Sequence, residues 1–331
     1  MNYTLLGCGR WGSFIAWYLD NTGHKVTTWG MDTDPYVVNF FATRKNNYVT
    51  FPESIELTTD LEYAVKKNEY IIVSISSQNL RSLMDKVSKI DGYKDKKYII
   101  CMKGIEESTG KRLSEVINEA GIDKNNIATW VGPGHIQDFT RGVPSMMIVD
   151  SYNSELSKTL VKDLRSDLIR YYQGKDMIGT EIGAAAKNVM GIAAGMLDGG
   201  NMSSLKGALM ARGTREVARL IRAAGGNELS AYGLCHLGDY EATLFSLHSH
   251  NRKFGELFVK GEYFDKLAEG VQTSKAMLNM AKKLGIELPI TQTVSDIISH
   301  KKDPKEALSE LFKRDNIEEL LEVQCQVFLP Y

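Results

Sequence analysis

The chain is predicted to be an α/β protein, with an N-terminal Rossmann-like, doubly wound sheet and a C-terminal all-helical domain. Three observations carry this reading. Short β-branched and aromatic runs alternate with amphipathic stretches through the first half, the pattern of a parallel sheet with helices on its faces. A glycine turn, Gly7-Cys8-Gly9-Arg10-Trp11-Gly12, directly follows the first of these runs. After about Asp176 the texture changes, and Val, Ile and Tyr give way to Ala, Gly, Leu and Met at helical spacing.

In chain order, strands are expected over residues 2–6, 25–29, 55–58, 70–75, 97–102, 127–131, 145–149 and 168–172. A helix should open at the glycine turn, and crossover helices should cover 77–87 and 109–120. Long helices follow over 181–197 and 205–224, with further helical stretches to about Glu322. The domains are therefore placed at 1–178 and 179–331. At 331 residues and 43% hydrophobic content the chain can build two cores.

The formal net charge is −1 and the basic residues are dispersed, which argues against a nucleic-acid partner or a membrane surface. No basic segment precedes an apolar stretch at the N-terminus, so no signal peptide is expected. No apolar run approaches the roughly 18–20 residues that span a bilayer. Cys8, Cys101, Cys235 and Cys325 lie far apart without C-x-x-C spacing, which points to free thiols in a reducing cytoplasm.

The glycine turn has the form of a dinucleotide cradle. Gly7 allows the tight turn, Gly9 lets backbone approach a pyrophosphate at the helix N-terminus, and Gly12 allows close helix–strand packing. Asp32, twenty residues after Gly12, is expected to accept both adenosine ribose hydroxyls. That favours NAD over NADP, whose 2′-phosphate would meet a negative charge. Arg10, inside the turn, either offsets added phosphate charge or is simply solvated. Trp11 is expected to pack between the domains.

Two lysines stand out. Lys187 lies in Gly183-Ala-Ala-Ala-Lys187-Asn188, a small-residue helix in which a lysine is costly unless it faces a cleft or snorkels to solvent. Partial burial would lower its pKa and make it a usable general acid or base. Lys103 follows a strand in Cys101-Met-Lys103-Gly, where open α/β sheets bind ligands. Facing one site, the pair would depress each other's pKa and attract an anion. His236, His248, His250 and Asp239 raise the question of a metal. No thiolate cluster supports one, so none is predicted, and these histidines are expected at the surface or facing substrate. Cys8 and Cys101 are expected near the cofactor as small buried residues rather than nucleophiles.

Further segments complete a pattern. They are Met102-Lys-Gly-Ile-Glu106, Val131-Gly-Pro-Gly134, Ile178-Gly-Thr-Glu-Ile-Gly-Ala-Ala-Ala-Lys-Asn188, Ala211-Arg-Gly-Thr-Arg-Glu216, Leu237-Gly-Asp239, Ser249-His-Asn-Arg-Lys-Phe-Gly255 and Ala268-Glu-Gly-Val-Gln-Thr273. In this order and spacing, the chain resembles the bacterial-type NAD(P)-dependent glycerol-3-phosphate dehydrogenases over nearly its whole length.

The resemblance implies hydride transfer between a nicotinamide and the dihydroxyacetone phosphate–sn-glycerol 3-phosphate pair, a precursor step of phospholipids, in a cytoplasmic homodimer. It implies that Lys187 exchanges the proton at the substrate oxygen and that Lys103 holds substrate near the nicotinamide. Asp239 would orient Lys187 and a substrate hydroxyl, with Asn188 and Thr243 nearby. Gly132 and Gly134 would present backbone to substrate, and Ser249, His250 and Asn251 would bind phosphate. Ile136, Leu267 and Glu269 would flank the cofactor.

Three positions depart from the family pattern. Gly134 stands where Ser or Thr is usual, Met31-Asp32 stands where an arginine often holds the 2′-phosphate, and His250 replaces an arginine. The last change leaves phosphate charge to a protonated His250, to Arg252 or to Lys103. It also admits an alternative, a paralogous dehydrogenase of another small anionic hydroxy or keto compound.

Overall fold

The computed structural model describes residues 1–304 together with Glu306, Ala307 and Glu310. Cys325 and the helical stretch expected near Glu322 lie outside the described residues. The strands are β1 (Asn2–Leu6), β2 (Lys25–Trp29), β3 (Glu56–Thr58), β4 (Tyr70–Val73), β5 (Lys97–Ile100), β6 (Ile127–Val131), β7 (Ser145–Ser151) and β8 (Ile169–Gln173). They form one sheet in the order β3-β2-β1-β4-β5-β6-β7-β8. β1 through β6 run parallel, β7 turns antiparallel to β6, and β8 is parallel to β7.

The chain leaves β1 outward to β2 and β3, then crosses back to β4 on the other side of β1. That reversal opens a crevice at the carboxyl ends of β1 and β4. Side chains alternate between two buried faces. Leu5, Ile72 and Ile99 pack on one core, and Leu6, Ile71, Val73, Tyr98 and Ile100 on the other. Burial on both faces explains why these strands read as nearly continuous apolar runs.

The helices are α1 (Arg10–Asn21), α2 (Pro35–Thr43), α3 (Leu61–Lys67), α4 (Leu80–Val87), α5 (Leu113–Glu119), α6 (Ile136–Phe139), α7 (Ser154–Leu164), α8 (Met177–Gly199), α9 (Lys206–Ala223), α10 (His250–Val259), α11 (Gly270–Leu284) and α12 (Pro289–Ile298). The expected strands all form, but two end early. Residues 74–75 and 101–102 leave the sheet and line the crevice instead. The helix expected from 109 starts only at Leu113, because Ile105 and Arg112 pair across an antiparallel bridge. The short helices α2, α3 and α7 were not anticipated. Each is started by a side-chain cap, from Asp34, Asp60 and Asn153 respectively.

α8 organises the second half. Its residues from Gly179 to Leu197 are all buried, so it has no solvent face and carries no amphipathic signal. α10 crosses it at backbone contact. A Cβ on Gly195 would sit 1.9 Å from the Arg252 carbonyl oxygen, and one on Gly255 would sit 2.1 Å from that of Ile192. A buried ion pair ties α8 to the start of α5: Arg112 Nη1 donates to Glu181 Oε2 at 2.7 Å, and Ser114 N donates to Oε1 at 2.8 Å. Among the described residues no helix is long and apolar enough to cross a membrane.

Gly195→Ala should destabilise the fold by about 1–3 kcal/mol, the usual cost of overpacking a rigid contact. Gly207→Ala on α9, whose added methyl meets nothing within 4 Å, should be neutral or stabilising. Thermal melting of the two variants checks the contrast, and equal melting temperatures would refute the backbone contact.

Candidate active site

A cavity of about 860 Å³ lies between the carboxyl ends of the strands and the helices α8 and α10. This is the size of a dinucleotide or drug-scale site. The glycine turn forms one wall. Gly7 has φ +106°, and a Cβ there would meet the Ser74 carbonyl oxygen at 2.3 Å. A Cβ on Gly12 would meet the Gly7 carbonyl oxygen at 2.2 Å, so both glycines are required by packing. Gly9 differs: nothing lies within 4 Å of its Cβ position, and it faces the cavity. The first turn of α1 carries neither an acidic residue nor a side-chain cap. Open backbone at an uncapped helix N-terminus fits a pyrophosphate.

The two carboxylates after β2 point in different directions. Asp32 is exposed and is not part of the cavity wall, whereas Met31 and Asp34 are. The turn after β2 points the earlier carboxylate to solvent, while Asp34 caps α2 by accepting from Tyr36 N at 2.9 Å. Trp11 lines the cavity and packs against the core on the sheet side. Its ring meets Phe14 at 5.2 Å and Phe139 at 6.3 Å, both on the sheet side. Ile136, Leu267 and Glu269 line the cavity as well. Glu269 is partly buried, accepts from Ser77 N at 3.4 Å, and has its carboxyl pKa raised by desolvation. Cys8 and Cys101 are buried on the same wall, and burial pushes the Cys8 thiol up to about 12.

Opposite the glycine turn, two lysines converge on one carboxylate oxygen. Asp239 Oδ2 accepts from Lys103 Nζ at 2.7 Å and lies 2.9 Å from Lys187 Nζ. Lys103 Nζ also donates to the Gly132 carbonyl oxygen at 2.7 Å, and Lys187 Nζ donates to Thr243 Oγ1 at 2.8 Å. Thr243 sits on a single π-helical turn, Glu241–Phe245, and its hydroxyl donates back to the Asp239 carbonyl oxygen at 2.7 Å. Asp239 is 1% exposed, and its second oxygen, Oδ1, has no protein partner. Burial pushes the Lys187 ammonium down to about 8; Asp239 opposes that shift and Lys103 adds to it.

Asn188 locks the framework. Its amide donates to the Lys103 carbonyl oxygen at 2.9 Å and accepts from Asn251 Nδ2 at 3.0 Å, while Asn251 accepts from Gly270 N at 2.9 Å. Asn251 is thereby committed to protein groups, and Ser249 caps α10 through Arg252 N at 3.3 Å. Gly132 lies outside the cavity wall and serves to hold Lys103. Gly134, which lines the cavity, has φ +144°, and a Cβ there would fall 2.3 Å from the Phe139 ring. That clash accounts for glycine where the family pattern has Ser or Thr. His250 meets Arg10, with 3.4 Å between Nε2 and Nη1.

The histidines divide. His236 is fully buried and structural, held by the Gly183 carbonyl oxygen at 2.9 Å and the Tyr240 hydroxyl at 2.7 Å. The expectation that it faces surface or substrate is corrected. Among the described residues no group of three potential metal ligands is assembled. His135 escaped the sequence reading. It lines the cavity with a buried, unpartnered Nε2, and burial, followed by Lys187 and Arg10, pushes it down to about 4. Its one signal is its place directly after Gly132-Pro133-Gly134.

A parallel sheet with an open glycine turn at its switch point, facing two lysines that share one buried carboxylate, has the make-up of a nicotinamide-dependent dehydrogenase. The comparisons with known proteins narrow this. Residues 2–157 match the model of the NAD-dependent glycerol-3-phosphate dehydrogenase N-terminus, and residues 176–309 match that of its C-terminus. The chain belongs to this family and is an oxidoreductase. It is 35% identical to a glycerol-3-phosphate dehydrogenase [NAD(P)+] of Prosthecochloris aestuarii, covering 97% of this chain and all of that one. Identity to the Fusobacterium nucleatum protein of the same name is 34%, covering 94% and 96%. The crystal structure of glycerol-3-phosphate dehydrogenase from Coxiella burnetii superposes with a TM-score of 0.86 at 30% identity, covering 95% of this chain and 99% of that one.

Gly9→Ala should weaken NADH binding about tenfold or more while leaving the melting temperature unchanged, because its methyl enters only the space open to the dinucleotide. Fluorescence titration with NADH beside thermal melting checks this. An unaltered affinity would place the pyrophosphate elsewhere.

Proposed function

We propose that this protein interconverts dihydroxyacetone phosphate and sn-glycerol 3-phosphate with a nicotinamide dinucleotide, and that Lys187 exchanges the proton at the C2 oxygen. The convergence of Lys187 and Lys103 on Asp239 is the observation that carries the reading. When bound, the nicotinamide supplies the hydride to C2 or takes it up. Lys187, buried and partnered by Thr243 and Asp239, gives its Nζ proton to the nascent alkoxide in reduction and receives it in oxidation. Lys103, fixed by Gly132 and Asp239, adds positive potential that favours an anionic substrate and a developing oxyanion. The unpartnered Asp239 Oδ1 suits a substrate hydroxyl. Asn188 positions the strand end that bears Lys103. Gly134 faces the substrate space, and Ile136, Leu267 and Glu269 border the cofactor.

The second reading, another small anionic hydroxy or keto compound, draws on His250 and Gly134. A screen of NADH and NADPH oxidation with dihydroxyacetone phosphate beside neutral and carboxylated analogues separates the two. We also infer a division into domains at 178/179, a homodimer and a cytoplasmic location, all supported by the family resemblance. Size-exclusion chromatography with light scattering tests the dimer.

Lys187→Ala should lower kcat by about 10²–10⁴ with NADH affinity intact. Near-normal turnover would remove Lys187 from the chemistry. The pH profile has opposite signs in the two directions. Reduction needs the protonated amine, so its kcat/KM should fall as pH rises through about 8. Oxidation needs the free amine and should rise over the same range. Parallel profiles in both directions would contradict the assignment.

Preference for NAD(H) over NADP(H) follows from a carboxylate at the ribose end of the cavity, which is Asp34. Asp34→Asn keeps the α2 cap and should narrow the preference, whereas Asp32→Ala should leave it unchanged. Steady-state kinetics with both cofactors measure this, and the reverse pattern would restore Asp32.

A further inference from the structure

A phosphate ester needs a fixed cation, and the family pattern's arginine is absent at position 250. His250 opens α10 half-buried, its ring edge-on to Phe264 at 6.1 Å. Burial, and then Arg10 and Lys266, hold its imidazole below the ordinary range, so the ring is uncharged at neutral pH. The two other cations that the sequence offers are committed. Arg252 Nε lies 3.0 Å from Asp198 Oδ2 and its Nη1 lies 3.1 Å from Glu256 Oε2. Lys103 is held on Asp239 at 2.7 Å.

Arg10 is placed differently. It is the first residue of α1, and its side chain spans from the glycine turn to α10. Neutral groups hold it: Gln137 Oε1 at 3.4 Å, His250 Nε2 at 3.4 Å and the Tyr48 ring 5.4 Å away. Arg10 and His250 line both the main cavity and a second one of about 200 Å³. The walls of that smaller cavity also carry Lys253 and Lys266, and no carboxylate among the described residues.

We propose that Arg10 anchors the substrate phosphate, so that the glycine turn itself supplies the guanidinium that the family pattern places at position 250. This rests on the reading of the substrate as a phosphate ester. The guanidinium keeps N–H groups beyond the two held by Gln137 and His250, enough to grip phosphate oxygens as a fork. His250 is a positioning residue: its uncharged Nε2 accepts from Arg10 Nη1 and sets the plane of that fork.

The test is a swap. Arg10→Ser should raise KM for dihydroxyacetone phosphate about 10–100-fold, the worth of a charge-assisted hydrogen bond. The Kd for NADH by fluorescence titration should move less than about threefold, and KM for unphosphorylated dihydroxyacetone should rise far less than KM for dihydroxyacetone phosphate. Adding His250→Arg to Arg10→Ser restores the fork from the other wall and should recover most of the loss. Arg10→Lys, which keeps the charge without the fork, should fall between. An unchanged KM in Arg10→Ser, or no recovery in the double variant, overturns the proposal. A NADH affinity that falls as far as KM rises also overturns it, and places Arg10 on the cofactor's phosphates. A wild-type protein that oxidises NADH with another anion but not with dihydroxyacetone phosphate overturns the functional reading itself, and the inference with it.

Discussion

The site depends on one buried carboxylate oxygen. Asp239 Oδ2 stands between the ammonium groups of Lys103 and Lys187, 2.7 and 2.9 Å away. Two like charges in a cleft repel, and a charge taken from water costs several kcal/mol unless it is paired. A single carboxylate relieves part of both costs and leaves a net positive charge. The surplus favours an anion and eases proton loss from the more deeply buried lysine. Burial first, opposed by Asp239 and assisted by Lys103, pushes the Lys187 ammonium down to about 8. The arrangement also fixes distance, because both lysines must reach one atom.

Three separate parts of the chain meet at that atom, so the fold must hold them rigidly. Lys103 comes from the loop after β5, Lys187 from the middle of α8, and Asp239 from a short 3₁₀ turn, Leu237–Asp239. α8 is the common support. Its lack of side chains at Gly191 and Gly195 lets Thr243 and α10 come close. Its Asn188 binds the Lys103 backbone on one side and Asn251 on the other. The Glu181–Arg112 pair fastens the start of the helix to the N-terminus of α5. Small residues therefore serve here to admit neighbouring backbone, and the chemistry is carried by the few polar side chains among them.

Much of this was legible along the chain. The strands declared themselves by apolar runs, since a sheet covered on both faces has no polar side. Gly7, Gly9 and Gly12 declared the cradle, and Lys187 stood out as a lysine among alanines. Other features were illegible for definite reasons. Which carboxylate after β2 faces the cavity was illegible: Asp32 is exposed and Asp34, two residues on, lines the wall, because spacing does not say which side chain of a turn points inward. His236 looked available but is sealed between Gly183 and Tyr240. His135 has no local signal of its own beyond its place after Gly134, because only the fold shows that its ring lines the cavity with Nε2 buried. The short helices α2 and α3 have few turns in which to show a period, and the caps Asp34 and Asp60 mark where they start.

The sequence by itself determined the class of fold, the family and the identities of the lysine pair, because these rest on local patterns: run lengths, glycine spacing and motifs in register. Only the tertiary structure decided what each charged group is for. It placed Asp239 between the lysines, spent Arg252 on Asp198 and Glu256, turned Asp32 outward and brought Arg10 to His250 across the cleft. The physical reason is that a charge acts through distance and desolvation, and both are set by residues far away in the chain.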